Sequence, residues 1–386
     1  MKVCVASAGR FHGFDLARQV QRLSLLSRLY TGYPKWKVDG LPPDKVASFP
    51  WVIAPMMLLN QRGFQGLGGR LSWTAADLFD RWVARYVEPC DVFHFLSSYG
   101  MEAQREARRR HGALTICDRG SSHILSQDAI LAEEFSRWGI PYRPMDRRIV
   151  QRELREYEEA DLILVPSTFV YSSFTTNGVP AEKLLRVPYG VDIRLFRPVP
   201  KEDDVFRVIY VGAMNLRKGI PYLLQALAPL QLPRFEIWLV GPVEEDARPF
   251  LARHEGSFQA FGYIPRDELF KYYSRASVFV IASIEEGLAT VQAQAMACGL
   301  PVIATNHTGA EDLFRDGVEG FIVPIRSPEA IREKVHYLYE HPDVRDEMGT
   351  AALKRVQALG GWDTYGERVA GCYRSALARR DIKTLS

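Results

Sequence analysis

Apolar residues form short, unbroken runs of strand length along the chain, and longer amphipathic segments separate these runs. Such runs are typical of parallel strands covered on both faces, so the alternation predicts doubly wound α/β sheets. In the first half, the pattern predicts an amphipathic helix over 15–29 and strands over 2–8, 92–95, 114–117, 162–165 and 185–187. In the second half, it predicts strands over 205–211, 235–240, 259–261, 278–282, 302–305 and 321–323.

The prolines and charges of 197–204 predict an exposed linker between the two series. We therefore predict two domains, residues 1–197 and residues 203–361. The length of 386 residues allows each domain to bury its own core. A last helix is predicted from about Trp362 to Ala378.

The segment 278–305 has polar groups only where a ligand could reach them. A predicted strand ends at Ala282, Glu285 and Glu286 follow in a loop, and an alanine-rich helix begins at about Leu288. Open α/β sheets bind ligands at the carboxyl ends of their strands. Acids before a helix also complement its dipole, and this structural role is the alternative interpretation.

Two cations occupy a second turn of the same kind. A predicted strand ends at Val211, Arg217 and Lys218 follow in the turn, and Pro221 opens a helix. A helix N-terminus with two fixed cations can bind an anion, whereas a solvated Arg-Lys pair would be structural only.

The segment after Ala282 resembles the signature of family 4 glycosyltransferases. These are retaining enzymes with the GT-B fold, in which two doubly wound, Rossmann-like domains face a cleft. Their Glu-Gly-x-x-x-x-x-x-Glu pattern appears here as Glu286-Gly287 with Gln294 at the second acid, and their Ala-Met-Ala-x-Gly-x-Pro-Val pattern appears at 295–302.

Two further segments carry the resemblance. Residues 188–192 with Phe196 are similar to the family's Asn-Gly-Val-Asp-x-x-x-Phe segment, and Lys218-Gly219 match the end of its Gly-Arg-Leu-x-x-x-Lys-Gly segment. The resemblance implies that the last helix, about 362–386, crosses back and completes the first domain.

The resemblance also implies donor-side roles. Glu286 would hold hydroxyls of the donor sugar, and Lys218 would grip the donor diphosphate. Arg217 would replace the arginine that the family carries at the position of Ala213, and Gln294 would bond the ribose through its amide oxygen. Glu285 is out of register with the signature, so its substitution is expected to lower turnover far less than that of Glu286. The other residues predicted to bind the donor are Gly212, Ile264, Leu288, Ala289, Thr290 and Val291.

Residues of the first domain are predicted to face the acceptor. The loop after the first strand contributes Arg10, His12 and Gly13, and the loop after 114–117 contributes Arg119. Related enzymes often place a histidine near the reacting sugar. His123 is therefore the candidate catalytic histidine, with Arg119 and Asp118 as competitors, although a lone loop histidine is more often structural.

The implied activity is that of a retaining hexosyltransferase. It would move a sugar from a nucleotide-diphosphate sugar, with UDP-sugars favoured, to a hydroxyl of a sugar, lipid-linked or small-molecule acceptor. Cations and a helix dipole would stabilise the leaving group, so neither a metal nor another cofactor is expected. The alternatives are a sugar-nucleotide epimerase or phosphorylase-like enzyme on the same scaffold, and a silent sugar-nucleotide-binding subunit. The three-glycine dinucleotide fingerprint is missing after the first strand, which disfavours a dehydrogenase.

Composition and charge add few constraints. Lys plus Arg number 49 against 46 acids, a net charge of +3, so no nucleic-acid partner is indicated. The five cysteines lack metal-ligand spacing, and no apolar run approaches the roughly 18 residues of a membrane-spanning helix. Both observations predict a cytoplasmic protein. The basic clusters at 105–111 and 143–152 are interpreted as solvated helix faces, with the inner membrane surface or an acidic acceptor as alternatives.

One irregular region, Phe49 to Trp73, is open to three interpretations. It mixes an apolar run with several glycines. Buried packing, a mobile acceptor loop and a membrane-touching edge are all compatible with this composition. The sequence does not predict an oligomeric state.

Overall fold

A computed structural model describes residues 1–51 and 65–385, with side chains for 1–51 and 72–380. In this part of the chain, the first sheet has seven parallel strands in the order β3-β2-β1-β4-β5-β6-β7. The strands are Val3–Ser7 (β1), Leu26–Thr31 (β2), Val46–Ser48 (β3), Val92–Leu96 (β4), Leu114–Asp118 (β5), Leu162–Val165 (β6) and Leu184–Arg186 (β7).

Helices cover both faces of this sheet. They are His12–Arg22 (α1), Gln65–Tyr86 (α2), Met101–His111 (α3), Ile124–Arg137 (α4), Arg147–Glu159 (α5) and Thr168–Thr176 (α6). The predicted helix over 15–29 is wrong at its C-terminal end. Helix α1 stops at Arg22, Ser24 adopts a left-handed φ of 59°, and the residues that follow pair with β1 as β2.

The second sheet has, among the described residues, six parallel strands in the order β10-β9-β8-β11-β12-β13. The strands are Phe206–Val211 (β8), Phe235–Val240 (β9), Gln259–Gly262 (β10), Val278–Ile281 (β11), Val302–Thr305 (β12) and Gly320–Val323 (β13). The helices are Ile220–Leu227 (α7), Arg248–Arg253 (α8), Leu269–Arg275 (α9), Thr290–Ala297 (α10), Ala310–Leu313 (α11), Pro328–Glu340 (α12) and Pro342–Leu359 (α13).

The last helix, Trp362–Leu385 (α14), packs against the first sheet. Tyr365, Val369 and Tyr373 share an apolar cluster with Val3 and Val5 of β1. The last strand of the first sheet ends at 186 and the first strand of the second sheet begins at 206. The division at 197–203 stays a prediction.

Two of the predictions concern contact with a membrane. No helix in the described ranges is both long and apolar enough to cross a membrane, and the cytoplasmic location stays a prediction. Residues 52–64 lie outside the described residues, and with them most of the Phe49–Trp73 region. At its ends, Phe49 stacks on Trp82 at 5.2 Å and Arg148 lies over Trp73 at 4.6 Å.

Candidate active site

A tight turn after β8 brings two cations to the end of β11. Gly219 adopts a left-handed φ of 68°, and a Cβ there would overlap the carbonyl oxygen of Ala282. Only glycine meets both demands without strain. The Asn215 side chain accepts the Lys218 N–H at 2.8 Å, and Arg217 O accepts the Ile284 N–H at 2.8 Å. The local sequence therefore fixes the backbone of both cations.

The two cations face two carboxylates. Arg217 Nε lies 2.9 Å from Glu285 Oε2, Arg217 Nη2 lies 3.2 Å from Glu286 Oε2, and Lys218 Nζ contacts Glu286 Oε1. The side chains of Arg217, Lys218 and Glu286 are 33%, 19% and 10% exposed. Burial, followed by the charge of Arg217, lowers the pKa of Lys218 to about 7. An incoming anion would meet cations that have already lost much of their hydration.

Glu285 joins the two sheets. Its carboxylate is fully buried and accepts hydrogen bonds from Ser122 N at 3.0 Å, Ser122 Oγ at 2.8 Å and Gln127 Nε2 at 2.9 Å. Burial opposes its charge, but Arg217 and these donors lower its pKa to about 2. Glu285 therefore links Arg217 of the second domain to Ser122 and Gln127 of the first.

Backbone atoms of the two domains meet beside the acids. A Cβ on Gly287 would overlap the carbonyl oxygen of Gly120, and Ser167 Oγ donates to Gly287 O at 2.6 Å. Farther out, Phe169 stacks on His307 at 4.4 Å. Arg326 Nε also pairs with Glu134 at 2.7 Å. The carboxyl ends of the two sheets are therefore held close together.

The other predicted donor-side residues lie along the same edge of the second sheet. Gly212 directly follows β8, Ile264 follows β10, and buried Leu288 and Ala289 precede α10. Half-buried Thr290 and Val291 open that helix. The N-cap residue provides no side-chain hydrogen bond, so the first amides of α10 face the site without a side-chain cap.

Gln294 is already engaged within the protein. Its amide oxygen, the atom expected to bond a ribose, accepts a hydrogen bond from the buried Tyr273 hydroxyl at 3.1 Å. The ribose role of Gln294 stays a prediction, and a ribose would have to share or displace this bond.

On the first domain, His12 opens α1 and points at the end of β5. His12 Nε2 lies 2.8 Å from Asp118 Oδ2, and the ring stacks on Tyr189 at 4.5 Å. Gly13 packs so tightly on β1 that a Cβ would lie 2.7 Å from Ser7 Oγ. Arg10 is exposed and pairs with Asp39 at 3.0 Å.

Arg119 belongs to a buried polar chain that reaches the second domain. It pairs with Glu153 at 2.9 Å and donates to Gln127 Oε1 at 2.7 Å, and Gln127 in turn donates to Glu285. A cavity of about 580 Å³ opens over Arg119 and Gln127. Its other lining residues include Ile124, Arg143, Arg148 and Glu153. The volume is that of a small-molecule site.

His123 lies in an aromatic environment. Its ring contacts Phe174 at 5.0 Å and Tyr157 at 5.2 Å, and its Nδ1 accepts the Leu125 N–H at 3.4 Å as the N-cap of α4. Burial, then Arg119, lowers the pKa of His123 to about 4, so the ring is neutral near pH 7. The structure does not join His123 to the Arg217–Glu286 cluster, and its catalytic role stays a prediction.

Metal ligands were not predicted, and within residues 1–51 and 65–385 no group of three or more His, Cys, Asp or Glu side chains could hold a metal ion.

The residues that the sequence analysis missed are Ser122 and Gln127, which bind Glu285, and His94, which binds Asp118 at 3.0 Å. A polar His94 inside the apolar run of β4 was the one available signal.

Comparison with known proteins identifies the second domain. Residues 192–355 match the family model of the glycosyl transferases group 1, and this range contains Arg217, Lys218, Glu285 and Glu286. The protein is a glycosyltransferase. This confirms the predicted enzyme class, a hexosyltransferase.

Sequence relatives of this glycosyltransferase cover it to different extents. It is 28% identical over 331 residues to an uncharacterized glycosyltransferase of Methanocaldococcus jannaschii, covering 75% of this chain and 84% of the relative. It is 33% identical over 224 residues to the D-inositol 3-phosphate glycosyltransferase of Thermobifida fusca, covering 52% and 51%. It is 27% identical over 226 residues to that of Kribbella flavida, covering 52% and 53%. The chain thus spans about half the length of these inositol 3-phosphate glycosyltransferases.

Solved structures confirm the GT-B fold. Sucrose-phosphate synthase from Thermosynechococcus elongatus superposes with a TM-score of 0.75 at 21% identity, covering 98% of this glycosyltransferase and 100% of the synthase. Anabaena HepE in complex with UDP and glucose superposes with a TM-score of 0.70 at 17% identity, covering 97% and 100%. Likeness at this level of identity shows two doubly wound domains facing a cleft, as predicted.

Proposed function

We propose that this glycosyltransferase moves a hexosyl group from a UDP-sugar to a hydroxyl of a small polar acceptor, with retention of anomeric configuration and without a metal ion. The observation that carries the proposal is the pair of partly buried cations, Arg217 and Lys218, that contact Glu286 in the loop after β11. A diphosphate is the ligand whose charge suits such a pair.

Donor binding exchanges partners within this cluster. The diphosphate contacts Lys218 and one edge of the Arg217 guanidinium, and Glu286 loses its ion pairs with both cations. Its carboxylate then accepts hydrogen bonds from hydroxyls of the donor sugar. Arg217 keeps its bond to Glu285, which holds the guanidinium in place. As the bond between C1 and the diphosphate breaks, the two cations stabilise the charge that develops on the leaving oxygen.

Uridine as the base and a small acceptor have separate support. HepE, of the same fold, is recorded in complexes with UDP and with UDP-glucose. The 580 Å³ cavity over Arg119 has room for a monosaccharide or polyol. Arg143 and Arg148 line this cavity, the latter paired with Asp146 at 2.6 Å, and two cations suit an acidic substituent. Relatives are named for inositol 3-phosphate. We therefore favour a phosphorylated acceptor.

Retention follows from front-side attack in this proposal. The acceptor hydroxyl approaches from the side of the departing diphosphate, where the first domain lies against Glu286 through the Gly120–Gly287 contact. No side chain of the cluster is assigned as a covalent nucleophile. Glu286 accepts hydrogen bonds from hydroxyls of the donor sugar, and Glu285 accepts hydrogen bonds from Ser122 and Gln127.

The test is turnover with UDP-, GDP- and ADP-glucose in the presence of EDTA, with inositol and inositol 3-phosphate as acceptors. We expect UDP release that depends on the acceptor and is faster with the phosphorylated one, and NMR should show an α-linked product. Full dependence on added Mg²⁺ or Mn²⁺ would contradict the metal-independent reaction, and a β-linked product would contradict retention. Conversion of the donor to another nucleotide sugar, without release of UDP, would favour the epimerase alternative.

A further inference from the structure

A groove of about 990 Å³ opens between β7 and α14 in the first domain. Helix α14 packs over one face of the first sheet, and β7 is the edge strand of this sheet among the described residues. The groove includes Leu114 and Leu162, which open β5 and β6. Ser122, which binds Glu285, instead follows the carboxyl end of β5. The groove is therefore separate from the candidate active site, and its volume lies near the upper end of small-molecule sites, about 300–1,000 Å³.

The sequence of α14 leaves this space open. Cys372, Ser375 and Ala376 line the groove, and their spacing places them on one face of the helix. Because all three side chains are small, the helix does not fill the space beside the edge of the sheet. The facing side of the groove, here called the apolar wall, consists of Leu162, Leu185, Val187 and Pro188. A hydrocarbon chain could lie against this wall.

Cations gather at one end of the groove. Arg380 donates to the carbonyl oxygen of Gly112, and Lys183 donates to that of Glu158 at 2.5 Å. These carbonyls shortly precede β5 and β6, which are neighbouring strands, so both cations lie at the amino ends of these strands. Arg379, next to Arg380 in the chain, also lines the groove. Among the side chains that the structure describes, no carboxylate forms an ion pair with Lys183 or Arg379.

The carboxylates of the groove do not balance this charge. Five cations but only two acids, Asp161 and Glu182, line the groove. Asp161 accepts hydrogen bonds from Thr115 N at 2.8 Å and Thr115 Oγ1 at 2.9 Å, and it pairs with Arg108 at 3.3 Å. Glu182 is exposed to solvent. Burial lowers the pKa of Lys183, although the charge of Asp161 opposes this shift. An anion bound at this end would stabilise the charged form of Lys183.

We propose that this groove binds a single-chain anionic amphiphile, the chemical class of a long-chain carboxylate. Its chain lies against the apolar wall, and its headgroup accepts charge-assisted hydrogen bonds from Lys183 and Arg379. Contact with the chain removes apolar surface of the wall from water. Neither Arg217 nor Lys218 takes part, so the site does not depend on the proposed reaction.

Cys372 reports whether the groove is occupied. It is half-buried in the groove, whereas the other four cysteines are buried. Burial raises the pKa of its thiol, so its alkylation by iodoacetamide is followed at about pH 9 by mass spectrometry of peptides. Saturating dodecanoate, below the concentration at which it forms micelles, should slow the alkylation of Cys372 at least about tenfold.

Two matched ions separate the chain from the charge. Dodecyltrimethylammonium has the same chain with the opposite charge, and acetate has the same headgroup without the chain. Neither should slow the alkylation of Cys372 at the same concentration. Lack of protection by dodecanoate, or equal protection by either matched ion, would overturn the proposal. Protection by a glutamate-rich peptide but not by dodecanoate would assign the groove to an acidic peptide instead.

Removal of the cations tests the headgroup site. In the double variant Lys183→Gln/Arg379→Gln, calorimetric titration should show a Kd for dodecanoate at least about tenfold above that of wild type. The control Lys354→Gln/Arg374→Gln removes the same charge at exposed positions outside the groove and should keep the wild-type Kd. A folded Lys183→Gln/Arg379→Gln protein with the wild-type Kd would contradict the assignment. The protection of Cys372 in wild type decides the proposal even where this variant does not fold.

Discussion

At the scale of single residues, two adjacent acids have different roles. Glu286 has a partly accessible carboxylate that meets Lys218, and Glu285 has a fully buried one that binds Ser122 and Gln127 of the other domain. Both lie in the loop between β11 and α10. Their partners differ, so the consequences of mutation should differ accordingly.

Glu286→Gln should slow the reaction and leave the fold intact. The amide keeps the shape and an acceptor oxygen but loses the charge that strengthens bonds to sugar hydroxyls in the transition state. We expect kcat at saturating donor to fall by about 100-fold or more. The melting temperature should change little. Glu245→Gln, at an exposed acid of the same domain, is the matched control. A kcat within a factor of about three of wild type would remove Glu286 from the site.

Glu285→Gln should damage the fold in a pH-dependent way. The folded-state pKa of about 2 lies below the ordinary value of 4.5, so the ionised form stabilises the native state above pH 4.5. This contribution decreases as the pH falls below 4.5 and is lost by about pH 2. Its full size is about 3 kcal/mol. In urea melts, wild type should lose about 1 kcal/mol more than Glu285→Gln between pH 6 and pH 4. Parallel losses in the two proteins would contradict the assignment.

At the scale of elements, the loop between β11 and α10 depends on a glycine that touches the other domain. In Gly287→Ala the new Cβ would overlap the Gly120 carbonyl, so the two loops must separate. Such overpacking costs about 1–3 kcal/mol. Because Arg217 and Lys218 lie on the second domain alone, we expect the Kd for UDP to change little while acceptor-dependent turnover falls at least about tenfold.

Gly371→Ala is the matched control for this variant. Gly371 lies within α14 with open space around its Cβ direction, so alanine there should be neutral or slightly stabilising. Wild-type turnover in Gly287→Ala would show that the close approach of Gly120 is not needed for the reaction.

The elements themselves were largely predictable. Buried strands such as Val278–Ile281 and Val302–Thr305 coincide with apolar runs, because strands covered on both faces leave no polar position. The first helix was predicted too long because the segment after Arg22 continues with leucines that fit either a helix or a strand. The left-handed turn at Ser24 decides between them, and serine is not a clear signal for that conformation.

At the scale of the whole molecule, the site is completed by contacts between distant parts of the chain. Ser122 and Glu285 are 163 residues apart and Gln127 and Glu285 are 158 residues apart. Such pairs leave no local pattern, so the sequence predicted Lys218, Arg217 and Glu286 from a motif but missed what holds Glu285. His12 and Asp118 follow neighbouring parts of one sheet edge, and only the folded chain shows that they touch.

The central claim is that Lys218 and Arg217 hold the diphosphate of the donor. Calorimetric titration of UDP into wild type, Lys218→Gln and Lys271→Gln tests it most directly, since Lys271 is an exposed cation of the same domain. Loss of a charge-assisted bond to a partly desolvated phosphate should raise the Kd of Lys218→Gln by about 10- to 100-fold, or roughly 1.4–2.8 kcal/mol. Lys271→Gln should keep the wild-type Kd. A Lys218→Gln protein that is folded and binds UDP with the wild-type Kd would contradict the account.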